Sequence, residues 1–475
     1  MLRLPPALTP VLTLACAALC LSVPAAAQPL TPAERAAIER AVTGTLRETR
    51  VPSAQVAVVR DGQLVFEGAW GKAAETIPQA RPDLPYQIAS NSKQFIAALL
   101  LLLENDGRLS LDEPVARWLP DISGADRITP RQLLSHTSGL PDYWPHDFAF
   151  AATAEPVTPD QIIARWGRQP LEFEPGTRWE YSNTGYVVAA RIAEMAGGAP
   201  LWQQLDQRLF APLGIKPLPL DDTNAAGFPQ GYHRYATGPV RPARPAARGW
   251  LWAAGELSMT AADLARWNIA RINRQVLPPE DWEQMETPVR LADGSRTTYG
   301  LGVARRSAGG RTRIEHGGES VGFLSQNAVW LDQRTAVTVL TNADYGGAEN
   351  ALTNRIAAIV LPKLPPVPAR VADTGGRVDE IRHVLAALAA GQIDPARFTP
   401  NAQYYFIPGA LADYRASLST LGAPLSISST RSPWLRGGFV GRAYSVRYKA
   451  QRFRLSTYAE PGENGRWEQF ILYAD

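Results

Sequence analysis

The chain is nearly without cysteine. Among its 475 residues only Cys16 and Cys20 occur, and both lie within residues 1–27, which read as an export signal. Arg3 stands in a short basic start, residues 11–23 are apolar, and Ala25-Ala26-Ala27 precede Gln28. A mature chain starting near Gln28 holds no thiol, which excludes disulfides and thiolate metal sites. Cys20 follows Leu19 and is itself followed by apolar residues, unlike a lipid-attachment signal, so a periplasmic or secreted protein is expected. Neither sign of charge dominates, with 48 basic and 45 acidic residues, so nucleic acid is not implied as a partner. The longest internal apolar run, residues 95–103, is too short to span a bilayer, and no stable membrane insertion is expected. No group of His, Asp and Glu has metal-ligand spacing, so no metal or other cofactor is expected. Lysine is also scarce: Lys72, Lys93, Lys216, Lys363 and Lys449 are the only ones among the 48 basic residues.

One of those five lysines sits in the stretch that organises the chain. Residues 87–94, Gln-Ile-Ala-Ser-Asn-Ser-Lys-Gln, run straight into Phe-Ile-Ala-Ala-Leu-Leu-Leu-Leu-Leu. A helix with no polar residue over 95–103 is apolar on every side and belongs inside a core. Ser90 and Lys93, three apart at its start, share one face. A serine hydroxyl becomes a nucleophile when a neighbouring base takes its proton, and a lysine is such a base once burial has lowered its pKa; arginine is not. By itself the spacing also fits a polar first turn on a core helix.

The rest of the chain is long enough for two or more domains, and 45% apolar content supports sizeable cores. Residues 31–48 have amphipathic helical spacing, and 53–59 and 63–70 read as strands turned at Asp61-Gly62. Thr129-Pro130 starts a helix that ends in Ser135-His136-Thr137-Ser138-Gly139-Leu140, where a histidine reads as a structural hydrogen-bonder before a catalytic one. Tyr181 and Asn183 are expected on a loop before a helix over 187–196 that stops at Gly197-Gly198. Thr260 caps a helix to about Asn273. Strands are expected at 299–303, around 313–323, at 325–330 and at 336–342, with Gly317 and Gly318 suited to the close approach of a substrate backbone at a sheet edge. His316 alone reads as a strand-end histidine. The Arg-Pro-Ala loop over 241–248 reads as a solvated surface loop rather than an anion-attracting one.

Taken in order, Ser90-x-x-Lys93, Tyr181-x-Asn183 and His316-x-Gly318 resemble the three active-site motifs of the penicillin-recognising serine hydrolases, specifically the group of class C β-lactamases, DD-carboxypeptidases and esterases (peptidase family S12-like). The phrases around 133–140, 174–176, 181–186 and 260–267 are similar to that group's surroundings. The resemblance implies an α+β fold: an antiparallel sheet flanked by helices, with an inserted helical region and a cleft between. It implies Ser90 as nucleophile, Lys93 and Tyr181 sharing the role of base, and Tyr181 protonating the leaving group. Asn183, His316 and Gly318 would bind substrate, and the N–H groups of Ser90 and Glu319 would form the oxyanion hole, each donor worth about 3 kcal/mol. The substrate would be a small molecule or peptide: an ester, a D-amino-acid peptide or a β-lactam. Two positions depart from the pattern. His316 stands where β-lactamases of this group usually have lysine, which favours an esterase or D-aminopeptidase, and Glu256 follows Gly255 where many relatives have glycine. The alternative function is a penicillin-binding or sensing module acylated without efficient turnover. The expected organisation is a signal over 1–27, a hydrolase domain over 28–361, a Pro-rich linker over 362–369 and a small α+β accessory domain over 370–475. That last part resembles the nuclear-transport-factor-2-like type, with one helix on a curved sheet. The oligomeric state is left open.

Overall fold

The Thr31 side chain accepts from the N–H of Glu34 while the Glu34 carboxylate accepts from the N–H of Thr31, and Pro32 occupies the first turn, where a missing donor costs nothing. These residues start α1 (Pro32–Thr49) in the computed structural model, which describes residues 28–308, 310–362, 377–462 and 464–474. The expected export signal lies outside the described residues, as does the expected linker apart from Pro362. Strands β1 (Ser53–Arg60) and β2 (Gln63–Gly71) follow, turned at Asp61-Gly62, both of which take positive φ, 54° and 75°.

The remaining strands of this sheet come much later in the chain: β3 (Ala304–Ala308), β4 (Arg311–Ser320), β5 (Phe323–Trp330) and β6 (Thr335–Thr341). The order is β2-β1-β6-β5-β4-β3, antiparallel throughout. Strand β1 lies inside the sheet, next to the edge strand β2, and is buried from Ser53 to Val59, so its two faces serve two cores. Ala54, Val56 and Val58 pack with Val337 and Val339 against Ile38 and Val42 of α1 and against Leu352 and Ile356 of the helix Ala348–Val360. Ala57 and Val59 point the other way, into the larger core that holds the inserted helices.

That core is built on α2 (Lys93–Asn105), where every side chain from Phe95 to Leu101 is buried, as its unbroken apolar run requires. Each leucine so enclosed contributes about 2 kcal/mol. Around it stand α3 (Asn183–Gly197), stopped by Gly198 in the left-handed conformation, and α4 (Ala261–Ile272), capped by Thr260. Two elements differ from the sequence reading. Helix α3 starts at Asn183, four residues early, because Ser182 caps it by accepting from the Gly185 N–H. Residues 299–303 are not a strand: Gly302 takes φ 74°, and the ladder with β4 begins only at Ala304.

The C-terminal part is a second antiparallel sheet with its own core. The helix Val378–Ala389 is joined by the helices Pro400–Tyr405 and Pro408–Leu418, three helices where one was expected. They pack on β7 (Ser426–Ser429), β8 (Trp434–Arg436), β9 (Phe439–Arg447), β10 (Arg452–Ala459) and β11 (Trp467–Ala474). The order is β7-β9-β10-β11, with β8 also on β9. Among the described residues no helix is long and apolar enough to cross a membrane.

Candidate active site

Ser90 lies in one tight turn, Ala89–Ser92, that continues directly into α2. Lys93, the first residue of α2, is fully buried behind it. Its Nζ is 3.0 Å from Ser90 Oγ, 2.8 Å from Asn183 Oδ1 and 2.6 Å from the Ala254 carbonyl oxygen. Burial holds the lysine well below its ordinary range; Asp142 pulls it up and Arg436 pushes it further down. The three contacts can also serve the neutral form that burial favours. An uncharged amine has two hydrogens and one lone pair, and with the hydrogens on Asn183 and Ala254 the lone pair is left facing the Ser90 hydroxyl.

Tyr181 stands on the other side of Ser90. Its ring lies 5.0 Å from Lys93 Nζ, and its hydroxyl is hydrogen-bonded to the Ser90 side chain. Burial pushes this phenol above its ordinary range, with the Ser90 bond and the Arg436 charge acting against that. At neutral pH it keeps its proton. Beneath it lies His136, in the left-handed backbone region at φ 60°, its ring centroid 4.1 Å from that of Tyr181. His136 Nδ1 accepts from the Ser182 N–H at 3.1 Å. The residue read as structural therefore supports both the Tyr181 ring and the cap of α3.

Strand β4 brings the third motif alongside. Its ladder with β3 ends at Glu315, so residues 316–320 border the cleft. A side chain at Gly318 would run into the Ile88 carbonyl. The close approach that this glycine permits is thus made by the protein's own backbone, which seats the Ser90 turn on β4. His316 is buried with both ring nitrogens in use: Nδ1 is 2.5 Å from the Gly317 carbonyl, and Nε2 is 2.7 Å from the Tyr299 hydroxyl. The carbonyl can only accept, so Nδ1 carries the hydrogen and Nε2 accepts from Tyr299. Burial above all, and the nearness of the Lys93 amine after it, push His316 down to about 3. The ring is neutral throughout the physiological range and is not set to clamp a carboxylate.

Ser90, Tyr181, Asn183, His316, Gly318 and Glu319 all line one cavity of about 690 Å³, with Lys93 directly behind Ser90. The wall opposite comes from the C-terminal sheet and its helices: Tyr405, Trp434, Arg436, Tyr458 and Tyr473. Glu319 is open to the cavity's own solvent but enclosed by its walls. That desolvation, then the neighbouring Asp147, raises its pKa well above the usual carboxylate range; Arg436 acts against this, while Asp344 and Glu349 add to it.

The sequence reading missed the groups that link the two parts. Asp142 is fully buried, and its carboxylate accepts from the Asn183 backbone N–H and from Asn183 Nδ2, each at 3.0 Å. It also pairs with Arg436, Nε to Oδ2 at 3.1 Å. Arg436 further reaches Asp147 at 3.2 Å and the Trp144 carbonyl at 2.9 Å, and its guanidinium lies 5.4 Å from the Tyr181 ring centroid. It ends β8 just before Gly437-Gly438, both at positive φ, the tip of the hairpin to β9. A Gly-Gly pair before a strand pattern was the one available signal. The Gly438 N–H donates to Glu180 Oε1 at 3.2 Å, and Glu180 faces Glu172, whose carboxyl is pushed up to about 9 by burial and then by Glu180. Gln469 of β11 bonds Asp147 from both sides, at 2.7 and 2.8 Å. The Arg-Pro-Ala loop is not simply solvated: Arg241 pairs with Asp413 of the C-terminal part, and Arg244 lines the cavity.

The Beta-lactamase family model matches residues 38–361. The D-aminopeptidase of Brucella ovis is 31% identical over 323 residues, 67% of this chain; the match spans 62% of that protein's length. A D-stereospecific amidohydrolase from Streptomyces sp. superposes with a TM-score of 0.59 at 28% identity, over 69% of this chain and 98% of its own. An octameric penicillin-binding protein homologue from Pyrococcus abyssi is similar in fold over 92% of this chain and 99% of its own, with a TM-score of 0.62 at 19% identity. With its sheet, inserted helices and three ordered motifs, the chain belongs to the β-lactamase family.

Proposed function

We propose that this chain is an exported serine hydrolase that acts through an acyl-enzyme on small substrates, among which amides or short peptides of D-amino acids fit best. The observation that carries this is Lys93, fully buried, with its Nζ 3.0 Å from Ser90 Oγ, the placement of a base beside a nucleophile. Ser90 Oγ attacks the substrate carbonyl as its proton passes to Lys93. Tyr181, still a phenol, donates its proton to the leaving amine and is reprotonated from Lys93. Water then attacks the Ser90 ester, releasing the acid and restoring the hydroxyl. The N–H groups of Ser90 and Glu319 hold the oxyanion.

Three features support the substrate class. A cavity of about 690 Å³ walled by both parts of the molecule suits a ligand of a few residues rather than a polymer. Neutral His316 offers no cation to a β-lactam carboxylate. The relatives named above include a D-aminopeptidase and a D-stereospecific amidohydrolase. The test is hydrolysis of D- and L-alanine p-nitroanilides, with intact mass followed after mixing with a penicillin. Turnover favouring the D isomer and lost in Ser90→Ala is expected. Unchanged turnover in Ser90→Ala would refute the nucleophile, and a stable penicillin adduct without amide turnover would favour a sensing module.

A further inference from the structure

We propose that Arg436, carried into the cleft by the β8–β9 hairpin, is a positioning residue for the Ser90–Lys93 pair, acting through Asp142 and Asn183. This deepens the reading above and rests on it. The connection is continuous: the Arg436 guanidinium lies 3.1 Å from Asp142, Asp142 accepts from Asn183 Nδ2 at 3.0 Å, and Asn183 Oδ1 lies 2.8 Å from Lys93 Nζ. Asp142 orients the Asn183 amide, because a carboxylate that accepts from Nδ2 leaves only Oδ1 to face the lysine.

Orientation alone would not require an arginine. The charge does. Asp142 is a fully buried carboxylate one side chain away from Lys93, and in a low-dielectric interior such a charge draws a proton onto the amine. A protonated Lys93 has no lone pair for Ser90. The guanidinium cancels that field while staying charged at every relevant pH. Its other contacts, Asp147 and the Trp144 carbonyl, fix its plane, so it meets Asp142 in one geometry. The groups facing Lys93 are Asp142, Arg436, His136, His316, Tyr181 and Tyr186. The two histidines are held neutral by burial and the two phenols keep their protons. Within this set Asp142 and Arg436 are the fixed charges, and they come from opposite parts of the molecule.

The measurement is the pH dependence of kcat/KM on an accepted ester or D-aminoacyl anilide. In Arg436→Met the acidic limb, below which Lys93 is protonated, should move to higher pH by at least about one unit, a tenfold change in the protonation equilibrium. Asp142→Asn should move the same limb to lower pH, and Arg436→Lys, which keeps the charge, should leave it near its original position. A residue that only braces the fold would lower the rate without moving the limb. An unmoved limb in Arg436→Met overturns the proposal. If that variant does not fold, an unmoved limb in Asp142→Asn overturns it equally. Activity that survives Ser90→Ala would remove the reading of the site itself, whereas an unmoved limb in an enzyme still silenced by Ser90→Ala removes only the role of Arg436.

Discussion

Ser90 is approached from two sides by elements of very different kinds. Helix α2 brings Lys93 from within the core, anchored by an apolar run from Phe95 to Leu101 that is wholly buried. The β8–β9 hairpin brings Arg436 from a separate sheet, on a three-residue strand and a Gly-Gly tip held by a few polar contacts. The first element places a reactive group by local geometry: a turn leading into a helix sets the Ser90–Lys93 distance whatever surrounds it. The second places a charge by tertiary contact alone. The chemistry of the site is thus written in short spacings, while its electrostatic environment depends on the docking of a second core.

Breaking the first side should have the largest effect. Lys93→Arg keeps a basic residue of similar length but removes any neutral form, and kcat/KM for an accepted substrate should fall about 10³-fold, the middle of the range for loss of a general base. A near-normal rate would shift the role of base to Tyr181. Breaking the second side should cost less. At Gly437, where φ is 58°, a side chain would collide with Pro145. Gly437→Val should lift the hairpin tip and destabilise the protein by about 1–3 kcal/mol in denaturant unfolding, with kcat/KM reduced in parallel. Unchanged stability would mean that the tip does not dock as described.

A last effect, on stability and not on rate, concerns pH at the same tip. Glu172 has its folded-state pKa raised from 4.5 to about 9. Between those values the folded state holds a proton that the unfolded state has released, so stability falls as pH rises through this window. Glu172→Gln removes the titration, and its melting temperature should decline less between pH 5 and 9 than that of the parent. Equal slopes would place the carboxyl pair elsewhere in its titration.

These contrasts also set what the amino-acid order could reveal. The α2 run, the Asp61-Gly62 hairpin and the Thr260 cap depend on neighbours a few residues away, and they were readable. The start of α3 was placed too late because Tyr181-Ser182-Asn183 reads as a loop until Ser182 is recognised as a cap. Residues 299–303 have strand-like spacing, but Gly302 at positive φ breaks the pattern. Thr399-Pro400 repeats the helix start seen at Thr129-Pro130, so the helix Pro400–Tyr405 was open to the same inference. Asp142 and Arg436 were not legible by any local rule, since their pairing joins positions 294 apart in the chain.

That separation carries a consequence in time. During synthesis Lys93 and Asp142 emerge and can bury themselves long before residue 436 exists. If Arg436 acts as proposed, Asp142 would sit beside the lysine without its counter-charge until the second sheet has formed, and the amine would favour its protonated state. A growing or truncated chain would fold its first core and still be chemically quiet. On that proposal, hydrolysis would begin only once the β8–β9 hairpin has docked beside Asp142.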